Sequence, residues 1–205
     1  MNETAPILRK GRKFAQVIEG ARKVFLRDGF EGANVDDIAK EAGVSKATLY
    51  SYVPDKRLLF IEVAQIECAR MADRALELID DTKSPREVLT VAASQIVPFL
   101  LSDFSQKIFR ICVAEAERFP ELGRAFYAAG PEMGHQRIAE YLVKAMDRGE
   151  LVIDDVPMAA EQFAELCRAR LWLRAVFGIQ LSFTQDEIND VIHNAVETFL
   201  ARYAS

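Results

Sequence analysis

Apolar residues recur at helical spacing along most of the chain. The first such stripe, with spacing i, i+3, i+4, i+7 and i+11, comprises Phe14, Val17, Ile18, Ala21 and Phe25. This spacing places the side chains on one face of an amphipathic helix. No segment shows a convincing two-residue alternation. The pattern therefore predicts an all-α protein of about nine helices.

Helix-capping residues mark most of the predicted boundaries. Gly29 is expected to end the first helix, Asn34 to cap the second together with Asp37, and Ser45 to cap a short third helix after a turn at Gly43. A long helix is predicted from about residue 55 to residue 80. Further helices are predicted at 85–101, 104–118, 121–147 (kinked at Gly130-Pro131), 157–179 and after Thr184. The connector 148–157 is expected to hold a short extended piece.

Charge is distributed unevenly in an otherwise ordinary composition. Residues 1–60 contain 11 Lys and Arg against 8 Asp and Glu, whereas the whole chain has a net charge of −5. A basic cluster of Arg9, Lys10, Arg12 and Lys13 precedes the first helix. Such asymmetry is typical of a chain that meets a polyanion at one end, although a solvated helix start would look the same.

Localisation is predicted to be cytoplasmic. The sequence shows no uncharged apolar run of membrane-spanning length and no secretory signal pattern. Its three well-separated cysteines suit reduced, buried thiols.

The stretch "VDDIAKEAGVSKATLYSYVPDK", residues 35–56, places two helices around a short glycine-containing turn. This is the pattern of a helix-turn-helix, whose second helix enters the DNA major groove. The alternative is a helical hairpin whose polar face meets only water. The predicted DNA-binding residues are Asn34, Ser45, Lys46, Ala47, Thr48, Tyr50, Tyr52 and Lys56. Lys46 and Thr48 are expected to reach base edges or phosphates, and Lys56 is expected to contact a phosphate.

Residues 14–60 closely resemble the DNA-binding domain of TetR-family transcriptional regulators. The matching segments, in order, are "FLRDGFEGANV", "VDDIA", "AGVSKATLYSYV" and "PDKRLLF". Ala47 departs from the family pattern, which commonly has glycine there, and Val53 stands where phenylalanine is frequent. Residues 114–131 are similar to the C-terminal domain of AefR-like regulators. The resemblance implies a DNA-binding domain at 1–58, a helical ligand-binding and dimerisation domain at 59–205, and a repressor that releases DNA when a small molecule binds.

Two C-terminal helices are predicted to form a homodimer interface. The last helix carries an apolar stripe, and the segment "LWLRAVFGIQL" that begins at Leu171 is apolar nearly all round. A helix that is apolar on every side must be buried on several sides, against its own core and against a partner subunit. A core helix of a monomer is the alternative. A two-fold dimer implies a roughly palindromic double-stranded operator.

A ligand pocket is predicted in the C-terminal domain. The candidate lining residues are Phe109, Cys112, Glu115, Phe126, Tyr127 and Trp172. Glu115 falls on an apolar stripe, where a carboxylate needs a ligand or a partner such as Arg168, Arg170 or Arg174. A mainly apolar ligand with one cationic or hydrogen-bonding group is expected. The long fourth helix, as the one covalent path between the two domains, is expected to transmit binding to the DNA-binding domain.

Other kinds of function find little support in the sequence. A metal or redox sensor built from Cys112, Cys167 and His135 lacks chelating spacing, so no metal or cofactor is expected. Enzyme motifs such as GxSxG, HExxH and GxGxxG are absent from the sequence, and the protein is predicted not to be an enzyme. The alternatives are a ligand-responsive activator, a regulator gated by a protein partner, and a small helical enzyme that retains a helix-turn-helix-like hairpin.

Overall fold

A computed structural model describes residues 12–78 and 82–205, with the side chains of residues 71–78 left undescribed. Regular structure in these ranges is helical apart from one isolated antiparallel bridge between Leu151 and Ala204. The elements are α1 (Arg12–Gly32), α2 (Val35–Glu41), α3 (Lys46–Tyr52), α4 (Lys56–Leu78), α5 (Pro85–Leu101), α6 (Asp103–Glu115), α7 (Pro120–Tyr127), a π-helix (Ala128–Glu132), α8 (Met133–Asp147), α9 (Val156–Leu166), α10 (Trp172–Val176) and α11 (Gln185–Tyr203). The all-α prediction is confirmed. The predicted basic residues Arg9 and Lys10 lie outside the described residues, as does the predicted end of the fourth helix.

Two predicted helices are each interrupted. The helix expected at 121–147 becomes α7, the π-helix and α8, and the π-helix contains the predicted break at Pro131, which has no N–H to donate. The prediction of one continuous helix at 157–179 was wrong. The helix ends at Leu166 and resumes only for the five residues of α10, because Arg170 adopts a left-handed conformation with φ of 66°.

The described chain forms two compact units. The first, called here the head unit, comprises the described residues up to Glu67 together with Ile111–Phe126; the second, the body unit, comprises Cys68–Arg110 and Tyr127–Ser205. The first boundary between the units lies after Glu67, whereas the predicted domain boundary lies after residue 58; both positions are within α4. The chain passes between the units in α4, in α6 and again after Phe126. The expectation that α4 is the one covalent path was consequently wrong.

Aromatic rings fill the core of the head unit. Phe60 packs edge-on against Phe25 and Phe30, with ring centroids 5.2 and 5.4 Å away, and Phe119 packs against Phe30 at 6.2 Å. An ion pair of 2.6 Å joins Arg118 to Glu31 near these rings. These contacts between residues far apart in sequence attach the segment 111–126 to α1, and the ion pair of Arg57 with Glu121 attaches it to α4.

The body unit is built from α5, α8, α9 and α11. Its largest buried side chains include Phe163 and Phe199, whose ring centroids are 5.3 Å apart. The predicted extended piece is confirmed: Leu151 forms the bridge with Ala204, and the Val152 N–H donates to the Tyr203 carbonyl at 2.9 Å. Within the described ranges, no single helix is long and apolar enough to cross a membrane, and α5 with α6 reaches that length only across a bend of 63°.

Candidate functional site

The predicted caps form the frame of the helix-turn-helix. Asn34 accepts a hydrogen bond from the Asp37 N–H at 2.8 Å, and Ser45 accepts one from the Thr48 N–H at 3.1 Å. Gly43 adopts φ of 63° in the turn between α2 and α3, a conformation that glycine reaches without steric cost. These local interactions fix where α3 starts and which way it points.

The buried face of α3 anchors it to the head unit. Leu49 is 2% exposed, and Val53, directly after α3, is buried as well. The opposite face presents Lys46, Ala47 and Tyr50 to solvent. The helix therefore keeps a firm apolar attachment and leaves a polar surface open to a partner.

Thr48 and Tyr52 are half-buried beside that surface. The Thr48 hydroxyl lies 2.8 Å from the Ser45 hydroxyl, so these two groups share a hydrogen bond. The Tyr52 ring packs against Phe14 of α1 with centroids 5.9 Å apart. Both side chains are oriented by neighbouring groups before any partner arrives.

Lys46 is paired with Asp36 at the start of α2. Its ammonium nitrogen lies 2.9 Å from an Asp36 carboxylate oxygen, and both side chains are largely exposed. The hydrogen bond from Lys46 to Asp36 and the charge of that carboxylate raise the pKa of Lys46 above its ordinary value. Because an exposed ion pair contributes little stability, separating Lys46 from Asp36 costs little.

Lys56 has a structural role that the sequence did not reveal. Its ammonium donates to the carbonyl oxygens of Phe30 at 2.7 Å and Ala33 at 3.0 Å, and it lies 4.6 Å from the centroid of the Phe30 ring. These carbonyls belong to the end of α1 and the turn that follows. Lys56 thus ties the start of α4 to the chain that leads into α2.

The six predicted pocket residues are divided between the two units. Cys112, Glu115 and Phe126 belong to the head unit, whereas Phe109, Tyr127 and Trp172 belong to the body unit. Cys112 is buried, Glu115 and Phe126 are half-buried, and Tyr127 is exposed.

Two of these residues are in contact, and two of the predicted partners of Glu115 bind other residues. The Phe109 and Trp172 rings pack edge to face with centroids 4.9 Å apart. Arg168 forms an ion pair of 2.5 Å with Glu165, and Arg174 donates to Gln180 at 3.4 Å.

A groove of about 480 Å³ lies elsewhere on the body unit, and its lining contains none of the predicted pocket residues. Most of its lining comes from α9 and α11, including Leu166, Phe199 and Tyr203. The sequence indicated only an apolar stripe along the last helix, which did not identify a groove.

The segment after Leu171 carries unusually exposed apolar side chains. Leu173 is 57% exposed, and Phe177, Ile179 and Leu181 are each 74–79% exposed. The prediction that this segment is one continuous helix was wrong, because α10 ends at Val176 and the chain continues as turns. Its apolar residues form an exposed surface on the body unit.

The cysteines offer no site for a metal within the described part of the chain. Cys68, Cys112 and Cys167 are free thiols and buried, and no cluster of three or more His, Cys, Asp or Glu side chains occurs among the described residues. Burial raises the pKa of the Cys167 thiol to about 12. The thiolate that metal binding and redox chemistry require is therefore scarce there near neutral pH.

A capped helix-turn-helix with an exposed polar third helix, attached to an all-helical body, defines a transcriptional regulator of the helix-turn-helix class. Residues 17–63 match the family of bacterial regulatory proteins named tetR, and residues 87–205 match the C-terminal domain of AefR-like transcriptional repressors. The chain belongs to the TetR family of transcriptional regulators. The family consists of regulators and not of enzymes, so the prediction that the protein is not an enzyme is confirmed.

Individual relatives agree with this assignment. The chain is 36% identical to the Flavonoid-responsive Regulator FrrA, with 95% of this chain and 98% of that chain covered and a TM-score of 0.78. A putative TetR-family regulator from Mesorhizobium loti has a TM-score of 0.82 at 26% identity, covering 96% of this chain and 99% of that one. The HTH-type transcriptional repressor AcnR of Corynebacterium efficiens is 36% identical over 62 residues. That match spans 30% of this chain and only 33% of AcnR.

Proposed function

We propose that the chain is a homodimeric repressor that binds a roughly palindromic operator through α3 and releases it when a small molecule binds. The observation that carries this proposal is the geometry of α3. Its buried residue Leu49 holds the helix while Lys46, Ala47 and Tyr50 face outward. A helix held in this way can enter the major groove without rearranging the core of the head unit.

The predicted DNA-binding residues take different roles in this proposal. Lys46 and Tyr50 contact DNA directly, with Ala47 allowing close approach of the helix and Thr48 contributing its hydroxyl. The remaining four hold the surface in place as well as approaching phosphates; they are Asn34, Ser45, Tyr52 and Lys56. Their caps, ring contact and carbonyl contacts support this second role.

Operator affinity tests the DNA contacts. The operator is first selected from random duplexes, and binding is then followed by fluorescence anisotropy over a range of salt concentrations. Lys46→Ala is expected to weaken binding and lower the salt slope by about one if the amine meets a phosphate, or to relax sequence preference if it meets a base. Lys144→Ala, an exposed lysine on α8, is the matched control. Wild-type behaviour of Lys46→Ala, Thr48→Ala and Tyr50→Phe together would refute the docking of α3.

The dimer is proposed to use the exposed apolar surface of the body unit. Leaving Phe177, Ile179 and Leu181 in water is unfavourable, since burial of such a side chain stabilises by about 1.5–3 kcal/mol. A two-fold axis brings the same patch of both subunits into one interface, so three side chains from each subunit, six in all, become buried. The groove between α9 and α11 offers a concave apolar counterpart on the same unit.

Light scattering tests the assembly. The wild-type protein is expected at twice the chain mass of 23.0 kDa, and Ile179→Glu is expected to shift it toward the monomer. Val113→Glu, at an exposed apolar position in the head unit, is the control and should remain dimeric. A wild-type monomer at micromolar concentration would refute the dimer, and an Ile179→Glu dimer would refute the surface.

The effector is proposed to be an aromatic compound with hydrogen-bonding groups. The relative FrrA, 36% identical along nearly its whole chain, is described as flavonoid-responsive. Phe109 and Trp172 provide an aromatic contact within the body unit. A ligand releases DNA only if it binds better to a conformation with a different spacing of the two recognition helices.

Release from the operator tests the switch. A coupling of about 1–3 kcal/mol would weaken operator binding roughly 5- to 150-fold in the presence of the effector. Hydroxylated flavonoids are the first compounds to add to the preformed complex, with glucose as a polar control. If no aromatic compound changes operator affinity, gating by a protein partner becomes the better hypothesis. Transcription from the selected operator placed over a promoter decides between repressor and activator.

A further inference from the structure

Two buried polar atoms of the body unit have no hydrogen-bond partner among the described residues. They are the side-chain carbonyl oxygen Oε1 of Gln106 and the guanidinium Nε of Arg168. Gln106 is only 4% exposed. An unmatched acceptor and an unmatched donor in such places are unfavourable, and each calls for a specific explanation.

The orientation of the Gln106 amide is fixed by its other half. Its Nε2 donates to the carbonyl oxygen of Leu100, at the end of α5, with a distance of 2.6 Å. Exchanging the two ends of the amide would put oxygen against oxygen. The unmatched atom is therefore an acceptor that can bind a hydroxyl or an N–H.

Arg168 presents the complementary group. Its Nη1 donates to Glu165, and its guanidinium carbon lies 5.0 Å from the centroid of the Trp172 ring. A guanidinium only donates hydrogen bonds. The buried Nε–H is therefore a donor that can bind an oxygen.

An aromatic pair connects the two positions. Gln106 and Phe109 are three residues apart on α6 and so lie on the same side of that helix. Phe109 packs against Trp172, and Trp172 lies under Arg168. The residue with the unmatched acceptor thus shares a side of α6 with one ring of the pair, and the guanidinium with the unmatched donor stacks on the other.

We propose that this cluster binds a planar aromatic ligand that carries both a hydroxyl and a carbonyl group. The ligand packs against the aromatic pair, its hydroxyl donates to Gln106 Oε1, and its carbonyl oxygen accepts from Arg168 Nε–H. The site rests on the proposed function, since it names the residues that recognise the effector. It also replaces Glu115 as the polar anchor with one neutral acceptor and one cationic donor.

Three aromatic probes separate the two hydrogen bonds. Apigenin, a trihydroxyflavone, has both hydroxyl and carbonyl groups; flavone keeps the carbonyl and lacks hydroxyls; resveratrol, a stilbene, has hydroxyls and lacks the carbonyl. Affinity is measured by calorimetry without DNA, and quenching of Trp172, the single tryptophan, reports whether the probe lies beside it.

The two variants are expected to give opposite patterns. Gln106→Met is expected to weaken apigenin and resveratrol roughly 2- to 10-fold and to leave flavone unchanged, since one neutral hydrogen bond is lost. Arg168→Lys keeps the charge and lacks the Nε–H, so it should weaken apigenin and flavone by a similar factor and spare resveratrol. Gln136→Met, on the exposed side of α8, is the control and should alter none of the affinities.

Several outcomes would overturn the site. A wild-type protein that binds none of the probes would do so, as would a Gln106→Met protein that keeps wild-type affinity or loses all three probes equally. If Gln106→Met does not fold, the pattern of Arg168→Lys alone decides. The calorimetry contains no DNA, so it tests the ligand site independently of the proposed function. A protein that binds apigenin but no operator would refute the proposed function and leave the ligand site supported.

Discussion

Replacing Gly20 with alanine tests how closely α1 must approach the helix-turn-helix. Gly20 is buried in α1, and a Cβ atom placed there would lie 2.7 Å from the backbone nitrogen of Ala42 and 2.8 Å from its Cα and Cβ. Reaching the ordinary contact distance of 3.4 Å requires a displacement of about 0.7 Å. The neighbours are mostly backbone atoms, so no side chain can rotate away. α1 or the end of α2 must move.

Two opposing effects set the expected magnitude. Forcing an extra methyl group into a packed site costs about 1–3 kcal/mol, while alanine is favoured over glycine inside a helix by about 1 kcal/mol. Because the clash is with backbone atoms, the upper half of the first range applies. The expected net loss of stability in the head unit is about 1–2 kcal/mol. Operator affinity should fall as well, because α2 determines the position of α3.

Gly134→Ala is the matched control. Gly134 lies in α8, and an added Cβ there would meet nothing within 4 Å. It should stabilise the protein by about 0.5–1 kcal/mol through helix propensity alone. Hydrogen exchange of α2 and α3 amides gives the local stability, and thermal unfolding gives the overall effect. If Gly20→Ala protects these amides as well as wild type does, the close approach is not required and the reasoning fails.

Four further substitutions test the head unit and the last helix. Lys56→Met is expected to lower the free energy of unfolding by about 2 kcal/mol in urea denaturation, because charge-assisted hydrogen bonds to the end of α1 are lost; an unchanged midpoint would refute this. Asp36→Asn should tighten operator binding roughly 1.5- to 5-fold at low salt, since it frees Lys46 and removes a charge that repels phosphate, and weaker binding in anisotropy would contradict it. Thr184→Ala should cost about 1 kcal/mol of stability through loss of the α11 cap. The Thr184 N–H donates to Glu187 and lowers the pKa of that carboxyl group. The ionised carboxylate therefore stabilises the fold at pH values above its unfolded pKa, and this stabilisation is lost as the pH falls through its folded pKa. If the wild type and Glu187→Gln lose the same stability on acidification, the pairing is contradicted.

Helix starts could be read from the sequence because their chemistry is local. Asn34 and Ser45 each cap a helix as predicted, and Thr184 caps the helix that was expected to follow it; each accepts from an N–H only three residues away. The helix-turn-helix was predictable for the same reason, since its turn and both caps lie within one short stretch. The polar residues of α3 were predicted to face outward, and Leu49 forms the buried face opposite them.

The errors arose where distant contacts or unusual backbone decided the structure. The left-handed conformation of Arg170 interrupts a segment that was predicted to be one helix, and an arginine at that position does not indicate such a conformation. The contacts of Arg118 with Glu31 and of Phe119 with Phe30 join residues nearly ninety positions apart. They place part of a segment assigned to the ligand-binding domain in the head unit. Lys56 was expected only at DNA because its carbonyl partners are not close in sequence.

The division of α6 between the two units changes how an effector could act on DNA. Residues up to Arg110 belong to the body unit, and Ile111 to Glu115 belong to the head unit, within one continuous helix. A ligand recognised by Gln106 and Phe109 would contact the first part of this helix. A helix resists bending because every turn is hydrogen-bonded, so displacement of its first part is passed on to the part that belongs to the head unit. The effect on operator affinity is limited to the difference in ligand affinity between the two conformations, and therefore a ligand that binds both equally well cannot act as an effector, however tightly it binds.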